Sequence, residues 1–117
     1  MELLRSPNAE VRAAVSSEVA KLGIRGIGAW YELANALADH SDAVRQAAAK
    51  AFGELGGVDY AIRSMRDEYR NPEHMSRSAA LRGVSTLSDS APDKARFAEL
   101  LQENWEDYPG ADQGGRG

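Results

Sequence analysis

The chain has 117 residues, of which 14 are basic and 18 acidic, giving a formal net charge of −4 with no cysteine. This length leaves room for one domain with a modest core, and the acidic balance opposes polyanions at long range, so nucleic acid is a disfavoured partner. Disulfides, thiolate metal sites and thiol nucleophiles are excluded together. No run of about 18 apolar residues suggests a membrane span, and the first residues lack the basic and apolar regions of a signal peptide, so a cytoplasmic protein is expected.

In chain order, the spacing predicts six helices. The first, over 7–22, places Val11, Ala14, Val15, Val19 and Leu22 on one face. Ser6 and Asn8 are suited to capping its start and Pro7 to its first turn, and Gly23 can take the left-handed conformation that ends it. The second, over 26–38, carries Trp30, Leu33 and Leu37. The third, over 41–55, repeats the first at a distance of 33 residues: Val44 falls on Val11, Arg45 on Arg12, Phe52 on Val19, Leu55 on Leu22 and Gly56 on Gly23. The fourth, over 58–70, repeats the second at a distance of 32, with Ile62, Met65 and Tyr69 on Trp30, Leu33 and Leu37. The fifth, over 73–88, is a weaker copy that sets Arg77 on Arg45, Val84 on Phe52 and Leu87 on Leu55, again at 32. The sixth, over 92–105, continues the second series with Lys94, Phe97 and Leu101.

A period of 32 to 33 residues, each unit two amphipathic helices, is the signature of a stacked array. The connections are short, so successive helices are antiparallel. The fold expected is all-α, a short right-handed α-solenoid of three helix pairs, an α-α superhelix. It occupies residues 1–106, with repeats at 5–37, 38–69 and 70–105. The stretch 107–117, rich in glycine and with Pro109, reads as a flexible tail. Leu3 and Leu4 align with the end of a second helix, so the array is expected to begin in mid-repeat, either as a terminal repeat that leaves part of its helix face uncovered or as one that stacks on another chain, in a homo-oligomer or an assembly subunit.

The element Asn8-Ala9-Glu10-Val11-Arg12-Ala13-Ala14, repeated as Ser41-Asp42-Ala43-Val44-Arg45-Gln46-Ala47-Ala48 and closed by Leu-Gly, resembles the first helix of a HEAT-like repeat of the bilin-lyase type. The resemblance implies a ladder between repeats, in which the arginines Arg12, Arg45 and Arg77 meet the polar joint residues Ser6, Asp39 and Asn71. Ser76 stands where that pattern has valine.

No motif carries chemistry. Glu73 and His74 resemble, in reversed order and once only, the His-Glu pairs of HEAT-like metal hydroxylases; His40 lies in another joint, so the ligand set of such a site is incomplete. No phosphate-binding glycine loop or nucleophile elbow is present. The chain reads as non-catalytic, with no cofactor and no metal. Arg63, Arg66 and Arg70 share one side of the fourth helix and resemble the basic stripe of HEAT-like DNA glycosylases, but Asp67 and Glu68 interleave with them. Trp30, Met65, Phe97 and Leu101 recur at matching positions and read as core. Tyr31 projects away from that stripe.

In solenoids the second helices line the concave surface, so a protein partner is expected to contact Tyr31, Asn35, Arg63, Arg66, Asp67 and Arg70. The function expected is a macromolecule-binding scaffold or adaptor. The alternatives are a structural subunit of a larger assembly, such as a virion or an immunity-type complex, and, behind it, a nucleic-acid binder or a bilin-lyase-like protein.

Overall fold

The structure, a computed structural model, describes residues 5–23 and 27–109. Among these residues there are six helices and no strand: α1 (Ala9–Lys21), α2 (Ile27–Ala36), α3 (Asp42–Leu55), α4 (Val58–Arg70), α5 (Arg77–Ser90) and α6 (Lys94–Asn104). The expected role of Leu3 and Leu4 lies outside the described residues, as does the tail from 110 onward.

Helix boundaries follow local chemistry. Asn8 accepts the N–H of Glu10, Ser41 that of Val44, and Asp93 that of Arg96, each satisfying an N–H that a helix start leaves without a carbonyl. Gly56 ends α3 at φ 71°, and Gly23 follows α1 at φ 67°, in the left-handed region that costs glycine nothing.

The fifth helix departs from expectation. It begins at Arg77, with Ser76 as its cap accepting the Ala79 N–H, and not at 73 after Asn71-Pro72. Asn71 instead closes α4, its N–H donating to the Asp67 carbonyl. Cap for cap, Ser76 corresponds to Ser41 at a distance of 35 residues. The buried residues agree with that register, since Ala79, Gly83, Val84, Thr86 and Leu87 take the places of Val44, Ala48, Ala49, Ala51 and Phe52. The third joint is thus longer than the second, and the equivalence of Arg77 with Arg45 is replaced by that of Ala80 with Arg45.

Two layers result. α1, α3 and α5 lie side by side in one, and α4 lies between α2 and α6 in the other. The core runs between them: Val44, Ala48, Phe52 and Leu55 from α3 meet Leu33 and Leu37 from α2, Ile62 and Met65 from α4, and Val84 and Leu87 from α5. Ser16 and Thr86 are buried in it with their hydroxyls bonded to the carbonyls of Arg12 and Arg82, which removes the cost of an unpaired polar group. Trp30 packs edge-on against Phe52 and Tyr60 at the open end of α2.

Of the four residues expected in the core, Met65 and Phe97 are fully inside, while Trp30 and Leu101 are partly covered against it. Trp105, just beyond α6, is buried on Tyr69. Tyr108 closes over it with ring centroids 4.9 Å apart, and burial pushes the Tyr108 hydroxyl up from its ordinary value. Asp107 pairs with Arg70 at 3.1 Å. The folded region therefore includes Asp107 and Tyr108, which the sequence reading gives to the tail; the aromatic pair supplies the apolar content that glycine and proline obscured.

The layers approach closely where side chains are small. A Cβ on Gly83 would stand 2.7 Å from Met65 Sδ and 3.3 Å from the Leu37 carbonyl oxygen, so α5 can reach α4 and α2 only because that position has no side chain. Gly83→Val is expected to destabilise the chain by about 1–3 kcal/mol, read as a lower urea midpoint. An unchanged midpoint would mean that α5 does not pack there.

Candidate functional site

The joint between the second and third pairs, 71–76, is held by a single carboxylate. Glu68, on the last turn of α4, accepts the backbone N–H groups of Glu73 and His74 on Oε1, both at 2.9 Å. Its Oε2 meets His74 Nδ1 at 2.6 Å. The other ring nitrogen, Nε2, lies 2.6 Å from the Tyr31 hydroxyl, and the two rings meet edge to face at 5.4 Å. A hydroxyl, an imidazole and a carboxylate from α2, the joint and α4 are thereby aligned on the face of the second layer.

The electrostatics follow. The hydrogen bond to Glu68 raises the His74 imidazole above its ordinary 6.5, outweighing desolvation, and the Glu68 and Glu73 charges add to it. Burial would raise the Glu68 carboxyl, but the hydrogen bonds from His74 and Glu73 outweigh it and hold the group below its ordinary 4.5. Protonation also sets the direction of the Tyr31 bond. Neutral His74, with its proton on Nδ1 toward Glu68, accepts from the Tyr31 hydroxyl; protonated His74 donates to it.

Tyr31 is 39% exposed and, with Leu22, makes up the large apolar surface among the described residues. Beside it opens a pocket of about 200 Å³ that reaches Asn35 on α2, Ser64 and Asp67 on α4, and Met75 in the joint. Of the six residues expected on the contact face, three border this pocket: Tyr31, Asn35 and Asp67. The arginines reach toward the end of α6, and Arg66 also meets Asp67, Nε to Oδ1 at 3.1 Å. Arg63 donates to the Asn104 side-chain oxygen, Arg66 to the Asn104 carbonyl at 2.9 Å, and Arg70 to Asp107. They tie the end of α6 to α4, satisfying a carbonyl that the helix end leaves open.

The joint residues show where the repeat is regular. Arg12 forms a two-pronged pair with Asp39, at 2.8 and 3.0 Å, and donates to the Ser6 carbonyl. The Asp39 pair raises Arg12; burial would raise Asp39, but the bonds from Arg12 and Ser41 lower it. Arg45 likewise reaches six residues back, to the Asp39 carbonyl, and pairs with Asp42. Its Nε, however, is buried without an acceptor among the described residues. The reason is visible in the next joint: two residues before the cap Ser76 stands His74, where Asp39 stands before Ser41. Arg77 donates to the Tyr69 carbonyl and makes no bond to Asn71, so the expected third rung is absent.

A larger groove of about 430 Å³, floored by Ala49, Leu87 and Phe97, lies where α6 leans onto α4 and away from α3 and α5. Its rim carries Lys50 and Arg96 against Glu54 and Asp93, so it presents no charge of one sign.

Sequence reasoning missed Glu68 and set His74 aside as surface. Tyr31 and His74 are 43 residues apart, and nothing in the period pairs them. The available signal was local: a glutamate five and six residues ahead of two backbone N–H groups, across a proline that stops the helix.

The His74–Glu68 bond makes stability depend on pH with a definite sign. A raised histidine contributes fully below 6.5, and its contribution is lost as pH rises through the folded value. A lowered carboxyl contributes above 4.5, and its contribution is lost as pH falls through the folded value. The destabilisation caused by His74→Gln, read as the shift in urea midpoint, is therefore expected to be largest at about pH 5–6 and to shrink toward about pH 9. A shift that is constant with pH would show that the pair does not form.

Residues 31–58 match the family model for the HEAT repeat. They span most of α2, all of α3 and the first residue of α4, and so include Tyr31 and the Asp39 joint. No curated protein and no solved structure matches the chain. Residues 31–58 thus resemble a HEAT repeat, and the described residues, six helices in three pairs, have the architecture of a short all-α solenoid.

Proposed function

We propose that the chain is a non-catalytic scaffold or adaptor that docks a protein partner on the α2–α4–α6 layer, with Tyr31 at the centre of the contact. HEAT repeats generally mediate protein–protein interaction, and proteins built from them are typically non-catalytic. The observation that carries the choice of face is Tyr31 itself. It is an aromatic residue kept at the surface in one orientation by His74, and so loses little side-chain freedom on binding. Asn35 and Asp67 adjoin it. Arg63, Arg66 and Arg70, already bonded to the α6 end and Asp107, support the face more than they contact a partner.

An acidic chain whose basic stripe is spent internally is a poor fit to nucleic acid. No helix among the described residues is long and apolar enough to cross a membrane, and the cytoplasm is the compartment we assign to it. Leu22, 70% exposed at the end of α1, favours a second reading, in which the first pair abuts another subunit of a larger assembly.

With the partner identified by crosslinking in the source cell and both components purified, Tyr31→Ala should weaken binding by about tenfold or more. Lys50→Ala, on the exposed side of α3, should leave it unchanged, and circular dichroism should show helicity retained in both variants. Equal affinity of the wild type and Tyr31→Ala would remove this face from consideration. Loss of binding in Leu22→Glu alone would favour the assembly reading.

A further inference from the structure

The pocket beside Tyr31 has a composition that selects among ligands. Ala34, Met65 and Met75 give it an apolar floor, while Asp67 and Glu68 are the charged groups of its lining, which contains no lysine or arginine. Of the cations nearest in sequence, Arg70 is drawn away by Asp107 and Arg77 by the Tyr69 carbonyl, while Arg66, besides the Asn104 carbonyl, meets one oxygen of Asp67, Oδ1 at 3.1 Å, and leaves Oδ2 without a hydrogen bond among the described residues. The side chains of Asn35 and Ser64 make no hydrogen bond among the described residues, so two oxygen acceptors in the lining are unspent. The volume, about 200 Å³, suits one long side chain and not a folded ligand.

Resting on the docking face proposed above, we infer that this pocket receives the side chain of a single lysine or arginine from the protein partner. The aliphatic stem lies on Met65, Met75 and Ala34. The charged end meets the Asp67 oxygen that Arg66 leaves open, Oδ2, and the oxygens of Asn35 and Ser64, beneath the Tyr31 ring, whose face attracts a cation. An acidic side chain would face two carboxylates, and a purely apolar one would strip water from Asp67, Asn35 and Ser64 without replacing its hydrogen bonds.

The groups that face this site are Tyr31 from α2, Asp67 and Glu68 from α4 with Arg66 and Arg70 at their edges, Glu73 and His74 from the joint, and Arg77 at the start of α5. Among them His74 is the group that gains a positive charge on mild acidification, its value being raised above 6.5. Protonated His74 opposes a second cation beside it, so uptake of a basic side chain strengthens as pH rises.

The test is a nitrogen-15 NMR titration of the full chain with blocked tripeptides, acetyl-Ala-X-Ala-amide, where X is arginine, lysine, norleucine or glutamate. The arginine and lysine peptides should shift the amides of Asn35, Ser64 and Met75 and saturate in the millimolar range expected of one side chain. The norleucine and glutamate peptides should bind at least about threefold more weakly. Asp67→Asn should reduce arginine-peptide affinity by about threefold with helicity intact, and binding at pH 8 should exceed that at pH 6. Equal binding of norleucine, preference for glutamate, shifts confined to other surfaces, no shifts at all, or tighter binding at pH 6 would each overturn the proposal. The two readings fail separately. If Tyr31→Ala abolishes partner binding while the peptides show no preference for a cation, the face stands and the basic ligand falls. If the arginine peptide binds and Tyr31→Ala leaves partner affinity unchanged, the pocket chemistry stands and the docking face falls.

Discussion

The close approach of six short helices is the constraint on which the rest of this structure depends. The chain has two phenylalanines and two tryptophans in 117 residues, so it cannot fill a core with bulk. It fills one by proximity. Ala48, Ala49 and Ala51 on α3, Ala61 on α4, and Ala79, Ala80 and Gly83 on α5 are buried where helices face one another. Small side chains shorten the distance between axes, and the few large ones, Phe52, Leu33, Leu37, Ile62 and Met65, then suffice to occupy what remains. Gly83 is the sharpest case, since the space its side chain would need is taken by Met65.

From that constraint the candidate site follows. Because α4 is pinned by Met65 between α2 and α5, its next outward residues, Asp67 and Glu68, are delivered to the face where Tyr31 emerges from α2. Glu68 then organises the joint that follows it, and the joint returns His74 to Tyr31. The regular part of the array uses an arginine and an aspartate to lock one joint to the next. The third joint gives up that aspartate, leaving Arg45 Nε without an acceptor, and places an imidazole in the exposed relay instead. A structural rung has been exchanged for a surface group that can change charge near neutral pH.

Much of this was legible in the sequence. The period of the first two repeats, the glycines after α1 and α3, and the cap Asn8 are local signals, and each is expressed where the pattern put it. The start of α5 was not, because Asn71-Pro72 is as good a helix opening as Ser76. The choice between them is made by Glu68, whose carboxylate holds Glu73 and His74 out of the helix. Arg77 was matched to Arg45 together with Val84 on Phe52 and Leu87 on Leu55, and the caps Ser41 and Ser76 move that position to Ala80. Tyr31, Asn35 and Asp67 were placed on one face because the second helices of a solenoid line one surface, and they border one pocket. The arginines of the same face were read as free for a partner because their acceptors, Asn104 and Asp107, lie some 40 residues away and belong to no repeat.

A carbon-13-edited nuclear Overhauser spectrum of the full chain tests the layered packing most directly. Layers packed in this way give a cross-peak from the Met65 methyl to the Gly83 α-protons, and a second from the Tyr31 ring to the His74 ring. A helical protein lacking both cross-peaks would have its helices arranged about another centre, and neither the two layers nor the face they present would survive that result.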